Sequence, residues 1–381
     1  MQIFNGEEIE IPFEKGRGVV DPDNRGKTCF VYRGELLKEV SEKFGRDSEG
    51  LCLKIFFNPL EGDIEDYYWG SPWRRYSLKR CEEIGRLSRL VQATTIQNWL
   101  WMKDLAPRVY AIVLIERDGK KYPAQLTEFL EGSKYKTNEE VQNQLDVIEK
   151  ELAKFKCKYA HRELINRNDF LGGKVIDLQG FRWTGDTKEA VRKWVEEVGR
   201  YGKASYQDVN EMGIVGKPRN TEKRIKAMKL DEIDFKGKSV LDVGCNSGAF
   251  CMYAISRGAK RTIGLDLPKQ VESAQTLAFY LGHHNIDYIA FDLTGECPLG
   301  FQPDITFFLS MNIHIGLPEW IPNQTKELMV FEENAKQSKF KPDYWQKELS
   351  KYFASVVKRG TTNDQNKEYH KPIFWCRKVL K

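Results

Sequence analysis

The sequence predicts two kinds of domain in one chain: an α+β unit over the first half and an α/β unit built on a parallel sheet over the second. Three observations lead there. From about residue 238 apolar strand-like runs alternate with helical stretches, a pattern that places parallel strands between layers of helix. Over the first ~190 residues the short apolar runs come first and the long helical stretches follow, which is the order of an α+β unit. Between the halves the composition shifts to a basic segment that contains several glycines. The expected domains are 1–195, a linking segment 196–235, and 236–381.

The first half contains the strand-like runs "CFVYRG", "LCLKIFF", "RVYAIVLIE" and "PAQLTEFLEG". Helices are expected around 77–104 and 137–159. In the second half the order reads "SVLDVG", helix, "RTIGLDL", helix, "IDYIAFDL", "DITFFLS", helix, "LMVFEE", helix, "ASVVKRG", "PIFWCRK". A parallel sheet of that kind gathers its loops, and with them its ligands, at the carboxyl ends of the strands.

Composition sets the outer bounds. With 41% hydrophobic, 12% aromatic and 30% charged residues, the 381-residue chain is that of a globular protein with sizeable cores. Its longest apolar runs, such as "AIVLI" at 111–115, fall far short of the ~20 residues that span a bilayer. The N-terminus "MQIFNGEEIEIPFEKG" has neither a basic start nor an apolar stretch, so a cytoplasmic location is expected. Eight cysteines lie scattered, with no C-x-x-C pair and no histidine cluster nearby, which argues against a zinc site or a disulfide framework. A net charge of +5 does not by itself establish nucleic-acid binding.

The linking segment carries the basic run "KPRNTEKRIKAMK", where Lys217, Arg219, Lys223, Arg224, Lys226 and Lys229 face a single acid, Glu222. A solvated helix face is one reading of it. An anion site is the other.

"SVLDVGCNSGAF" joins a buried strand to a tight turn and a helix. Gly244 and Gly248 remove side chains where a ligand approaches the backbone, and the helix that follows starts with free N–H groups. The next strand ends in Asp266, 24 residues after Asp242, where a carboxylate can accept both hydroxyls of a ribose. A third strand ends in "FDL" and brings Asp292 to the same edge. A nicotinamide dehydrogenase uses a similar turn, but its G-x-G-x-x-G is missing because Asn246 stands at the second glycine.

On these residues the stretch 236–381 resembles the class I S-adenosylmethionine-dependent methyltransferases. The resemblance implies a Rossmann-like, seven-stranded sheet with a final antiparallel hairpin. It implies S-adenosylmethionine as cofactor, with Asp242, Gly244, Asn246 and Gly248 beside its methionine part, Asp266 on the ribose and Asp292 on the adenine. "SMNIHIG" follows the fourth strand, so Ser310, Asn312 and His314 should emerge near the transferable methyl, with Ser310 a candidate for binding the cofactor. His314 is the candidate base, since an imidazole titrates near neutrality. Asn312 is a candidate for acceptor binding. Glu332 and Glu333 of "FEEN" reach the same edge and are either acceptor ligands or solvated. The stretch from "RNTEKR" to "KPIFWCRK" is similar to methyltransferases that act on tRNA wobble uridine derivatives or on glycans and their phosphates. That similarity makes Arg219 and Arg224 candidates for an anionic part of the acceptor, because a guanidinium fork fits phosphate and carboxylate.

Chemistry of another kind is written into "YAHRELINRNDFLGGKVIDLQG". Phosphoryl transfer needs a carboxylate near the attacking hydroxyl, an amide ligand for magnesium and a second, metal-binding carboxylate. His161, Arg162, Glu163, Leu164 and Asn168 keep the spacing of the protein-kinase catalytic loop, with Glu163 for the usual aspartate, and Asp177 follows after a shortened hairpin. "LCLKIF" resembles the strand of the phosphate-binding Lys54, "CEEIGRL" offers Glu82 or Glu83 as its partner, and "LTEFLEG" resembles the hinge. The first domain is therefore expected to be kinase-like over residues 24–181. If active, it would use ATP and Mg, with Asn168 and Asp177 holding the metal and Glu163 as base. Two features depart from that family: the nucleotide loop keeps only Gly26, and some 50 residues are left for a C-terminal lobe.

The function expected is methyl transfer to oxygen of a small molecule, glycan or phosphate, with the kinase-like domain as a recognition module. The same domain content, in reversed order, resembles bacterial kinase–methyltransferases that cap a polysaccharide. Two alternatives stand beside it: a bifunctional enzyme that phosphorylates and then methylates its substrate, and an RNA-modifying methyltransferase whose basic linker tracks phosphates. The acceptor, the pathway and the oligomeric state are not legible in the sequence.

Overall fold

The structure is a computed structural model that describes residues 2–9, 29–56, 86–132, 137–153, 157–159, 170–176, 178, 181–183, 187–198, 200–201, 204–205, 207–209, 212–216, 220–296, 299–334, 343–363 and 370–378. The chain divides into two compact units, residues 1–190 and 191–381.

In the first unit, β1 (Ile3–Asn5), β2 (Cys29–Tyr32), β3 (Leu51–Phe56), β4 (Val109–Arg117) and β5 (Lys120–Glu128) form a five-stranded sheet in the order β1-β4-β5-β3-β2. All its pairings are antiparallel except β1 with β4. Strand β3 is buried along its whole length, because both of its faces are covered. Leu53, Ile55, Val113, Ile115 and Leu126 pack on one side with Leu36, Leu37 and Val40 of α1 (Glu35–Lys43). Cys29, Phe56 and Ile112 pack with Leu90 of α2 (Arg86–Trp101).

Helix α2 buries polar side chains, and each of those named here has a partner, as burial demands. Asn98 brackets Val109, donating Nδ2 to its carbonyl at 2.9 Å and accepting its N–H at 2.8 Å. Gln97 donates to the Pro107 carbonyl at 2.9 Å. Helix α3 (Asn138–Leu152) begins with a capping box between Thr137 and Glu140. The helix expected over 137–159 is shorter than that. It ends at Leu152, and β6 (Cys157–Tyr159) instead pairs antiparallel with β9 (Phe181–Trp183), so pairing across sequence overrides the local helical pattern. A two-residue ribbon joins β7 (Phe170–Leu171) to β8 (Lys174–Val175). Helix α4 (Thr187–Val198) contains the boundary between the units.

The second unit opens with a ribbon of β10 (Arg200–Tyr201) and β11 (Ala204–Ser205), followed by α5 (Thr221–Met228). Asn220 caps α5 by accepting the Lys223 N–H at 2.8 Å, and buried Asp208 accepts the Thr221 N–H at 3.1 Å. Lys223 and Lys226 face solvent, whereas Arg224 and Met228 form the buried stripe. Part of the segment expected to link domains thus belongs to the packed core of this unit: Met228, Leu230, Ile233 and Phe235 lie against Val240, Phe307 and Trp375.

Seven strands follow as expected: β12 (Ser239–Val243), β13 (Arg261–Asp266), β14 (Ile286–Ala290), β15 (Ile305–Leu309), β16 (Leu328–Glu332), β17 (Ser355–Asn363) and β18 (His370–Arg377). Their order is β14-β13-β12-β15-β16-β18-β17. The first five run parallel, and β18 is antiparallel to both β16 and β17. This is the Rossmann-like sheet with a terminal hairpin that the sequence implied. Helices α6 (Ala249–Ser256), α7 (Pro268–Tyr280), α8 (Asn312–Ile315), α9 (Trp320–Gln324) and α10 (Tyr344–Leu349) fill the connections. One face of the sheet buries Val240, Phe250, Phe307 and Val330, and the other buries Leu241, Ile263, Phe308, Phe331 and Trp345. With both faces covered, the strands read as continuous apolar runs, and this is why they were legible. Strand order reverses between β13-β12 and β15, so the crevice at the carboxyl ends of these strands is the expected ligand position.

Candidate functional site

Sequence-adjacent residues at the end of β12 build the first wall of that crevice. The turn after Val243 is pinned to the neighbouring strand, since the Gly244 and Cys245 N–H groups both donate to the Leu265 carbonyl, at 2.8 and 3.1 Å. Gly244 (φ +77°), Asn246 (φ +50°) and Gly248 (φ +78°) are all left-handed. Glycine has no Cβ to pay for there, and asparagine is among the few other residues that visit this region. Asn246, which excluded the dinucleotide fingerprint, is therefore a conformational substitute for glycine at its position.

Asp266 ties the turn to β13. Its Oδ2 accepts the Asn246 N–H and its Oδ1 the Leu267 N–H, both at 2.7 Å. Burial pushes its carboxyl above the usual range, while the two backbone donors pull the other way. The residue stays half-buried, so lone pairs remain on the open side for hydroxyl donors. The Phe291 N–H donates to the Asp266 carbonyl at 3.0 Å, which brings the end of β14 alongside. Asp292 is exposed there and folds onto its own loop: it accepts the Thr294 N–H and hydroxyl at 3.0 and 2.7 Å, which lowers its pKa.

Asp242 lies behind the turn rather than on its surface. It is 1% exposed and accepts the Cys251 thiol at 3.5 Å. Burial raises its carboxyl to about 7. A carboxyl whose folded pKa exceeds its unfolded one holds its proton more tightly in the folded chain, so its stabilising effect is full below the unfolded value near 3.8 and is lost as pH rises through about 7. The expected result is a loss of stability of a few kcal/mol between pH 4 and pH 7 from this group, measured by urea melts. Asp242→Asn, which cannot ionise, should flatten that slope.

The opposite wall is the segment after β15. Ser310 is also left-handed (φ +63°) and 3% exposed, and its hydroxyl donates to Glu332 at 2.5 Å. Met311 lies over Gly244: a Cβ built on that glycine would sit 2.3 Å from the Met311 sulfur. Asn312 is 2% exposed, and its Oδ1 accepts the Asn334 N–H at 2.8 Å. His314 is exposed on α8.

The structure thus brings together Asp242, Gly244, Asn246, Gly248, Asp266, Asp292, Ser310 and Asn312 at one edge of the sheet. Arg224 is buried and spends its guanidinium on Glu332, with Nη2 to Oε2 at 2.5 Å and Nε to Oε1 at 3.3 Å. Glu332 and Glu333 are buried, 0% and 1% exposed, and neither is a solvated carboxylate. In the first unit Lys54 is 9% exposed and donates to the Ile176 carbonyl at 2.8 Å. Arg219, Glu163, Asn168, Asp177, Glu82 and Glu83 lie outside the described residues.

Two features of the site escaped the sequence reading. Tyr288 is fully buried behind the turn, with its hydroxyl 3.5 Å from the Gly248 carbonyl. The signal for it was Gly264, which pairs with Tyr288 across β13 and β14, since a glycine inside a strand marks the close approach of a neighbour. The other is the role of Glu332 as a partner for Arg224, 108 residues away in sequence. Nothing local could have signalled that.

A glycine turn tied to an acid at the end of the next strand, in this strand order, is the arrangement on which the comparison with known proteins bears. Residues 217–296 match the model of the FtsJ-like methyltransferase family. The match lies within the second unit, over the turn, Asp266 and Asp292, and marks that stretch as similar to an FtsJ-like methyltransferase domain. The ribosomal protein L11 methyltransferase of Tolumonas auensis is 38% identical over 77 residues, which are 20% of this chain and 26% of that protein. The chain thus spans about a quarter of the length of that curated relative. Among solved structures, magnesium protoporphyrin IX methyltransferase from Synechocystis PCC 6803 with bound SAM is 19% identical, with a TM-score of 0.35 over 51% of this chain and 99% of that one. A co-crystal of WbdD with the kinase inhibitor LY294002 is 18% identical, with a TM-score of 0.36 over 45% of each chain.

No helix among the described residues is long and apolar enough to cross a membrane. No cluster of three or more histidine, cysteine, aspartate or glutamate side chains suited to a metal occurs among them either.

Proposed function

We propose that the second unit is an S-adenosylmethionine-dependent methyltransferase that methylates an oxygen of a small molecule, glycan or phosphate, with the first unit serving to recognise that acceptor. The observation that supports it most is the joint between Asn246 and Asp266, which sets a glycine-lined turn and a half-buried carboxylate side by side under the family match over 217–296. The donor set fits the cofactor. A Cβ at Gly244 would run into Met311 and one at Gly248 into the buried Tyr288, so only glycine keeps this turn tight beside the crevice, and half-buried Asp266 keeps acceptor lone pairs there for the hydroxyls of a ribose.

When bound, S-adenosylmethionine supplies a methyl group on a cationic sulfur that is ready for in-line displacement. The chain's part is to orient and enclose. Gly244, Asn246 and Gly248 admit the methionine part, Asp266 accepts from the ribose, and Asp292 stands at the adenine end. Ser310, Asn312 and His314 belong to the acceptor side, where the exposed imidazole can take the proton that an attacking hydroxyl releases. Methyl transfer depends chiefly on alignment, so the rigid turn matters more than the base.

A bifunctional reading is favoured by one observation in the first unit. Lys54, on a fully buried strand, donates to the carbonyl of Ile176, the residue before Asp177 in sequence, so the candidate lysine lies at the segment that carries the candidate metal-binding aspartate. In that reading ATP and Mg are bound there, with Glu163 as base and Asn168 and Asp177 on the metal. Arg219 and the exposed Lys223 and Lys226 leave an anionic acceptor, RNA included, within the proposal.

Mass spectrometry of small-molecule and glycan extracts incubated with the protein and S-adenosylmethionine, with and without ATP and magnesium, tests these readings. A product that gains a methyl alone supports the first, and one that gains a phosphate as well supports the second. Modification of RNA with extracts left unchanged would replace both.

A further inference from the structure

Glu332 ends β16 beneath the loop that follows β15, and its carboxyl is fully buried. It accepts four hydrogen bonds from three different elements: Arg224 Nη2 and Nε from α5 at 2.5 and 3.3 Å, the Ser310 hydroxyl at 2.5 Å, and the Thr362 hydroxyl from β17 at 2.5 Å. A buried carboxylate needs this many donors to offset its lost hydration. What singles it out is where one of those donors leads.

Ser310 holds a left-handed backbone that L side chains rarely adopt, and its N–H donates to the Glu332 carbonyl at 2.8 Å. Two bonds to one residue therefore fix a strained position. The next residue, Met311, covers Gly244 of the cofactor turn. The one after it, Asn312, is held by the Asn334 N–H, two residues beyond Glu332. The end of β16 thus grips the 310–312 loop at both its edges, and that loop roofs the turn.

We propose that Glu332, braced by Arg224, is a positioning residue that sets the 310–312 loop over the cofactor turn without touching cofactor or acceptor. The inference rests on the methyltransferase reading and adds to it the device that holds the acceptor side in register. Arg224 acts in this account through Glu332, inside the domain.

Three variants of the full chain separate this role from simple stabilisation, each titrated calorimetrically with S-adenosylmethionine and followed by amide exchange of His314, Ile315 and Gly316. Ser310→Gly removes the tether while accepting the left-handed backbone, so its melting temperature should stay within a few degrees of wild type. Its affinity should nevertheless fall roughly tenfold, and exchange at 314–316 should quicken by about the same factor, as for loss of a hydrogen bond to a charged group. Glu332→Gln, which leaves Ser310 in place, should weaken binding in the same direction. Lys238→Met breaks the Lys238–Glu327 pair, 2.7 Å apart at the opposite ends of the strands, and should lower stability without moving affinity or exchange. Wild-type affinity and exchange in Ser310→Gly, or in Glu332→Gln alone, would overturn the positioning role while leaving the methyltransferase reading intact. Absence of binding by the wild type would overturn that reading and the inference with it.

Discussion

Replacing Gly248 by alanine should unfold the cofactor turn at a cost of ~2–4 kcal/mol and lower the affinity for S-adenosylmethionine by at least about tenfold. The backbone at φ +78° is one an alanine rarely adopts, and the added Cβ would lie 2.0 Å from the Tyr288 oxygen and 2.7 Å from the ring carbon that bears it. Tyr288 is fully buried in the sheet and cannot swing away. Gly244→Ala meets a softer neighbour. There the close atoms are the far end of Met311, a flexible side chain, so the stability loss should be smaller even though the roof over the turn moves. Urea melts and calorimetry on the two variants check the order: Gly248→Ala costs more stability than Gly244→Ala. The reverse order would mean that Tyr288 does not back the turn.

Arg224→Met should cost ~3–5 kcal/mol, since it leaves the Glu332 carboxylate buried without its cation. For a unit of this size that corresponds to a fall in melting temperature of roughly 10 °C. Arg224→Met combined with Glu332→Leu should recover much of the loss, because an apolar pair of similar volume avoids the desolvation penalty. Thermal melts of the single and double variants decide it. A single variant as stable as wild type would show that Arg224 does not neutralise Glu332 in solution.

The difference between these two predictions follows what the sequence could show. The turn was legible because all its determinants are local: an apolar strand, two glycines, and an acid at the end of the next strand. Even Asn246, which read as a departure from the dinucleotide pattern, told in the right direction, since its left-handed backbone explains the residue. The sheet was legible for a similar reason, as strands buried on both faces write themselves as apolar runs. Arg224 and Glu332 were visible as charged residues, but their partnership depends on how α5 packs on β16. In sequence each read either as a solvated charge or as a ligand for something outside the protein, and burial made each the other's partner. Asp242 shows the same limit, because its place at the strand end was legible while its burial behind the turn was not. In the first half the expected helix over 137–159 gave way at Leu152, where pairing of β6 with β9 outweighed the local pattern.

The central claim is that the crevice beside Asp266 holds S-adenosylmethionine. Isothermal titration of the wild type and of Asp266→Ala with S-adenosylmethionine tests it most directly. The wild type should bind one equivalent with a Kd on the order of micromolar, and Asp266→Ala should bind at least about tenfold more weakly, having lost the carboxylate that ties down Asn246 and that the proposal sets on the ribose. No binding by the wild type, or undiminished binding by Asp266→Ala, would contradict the account.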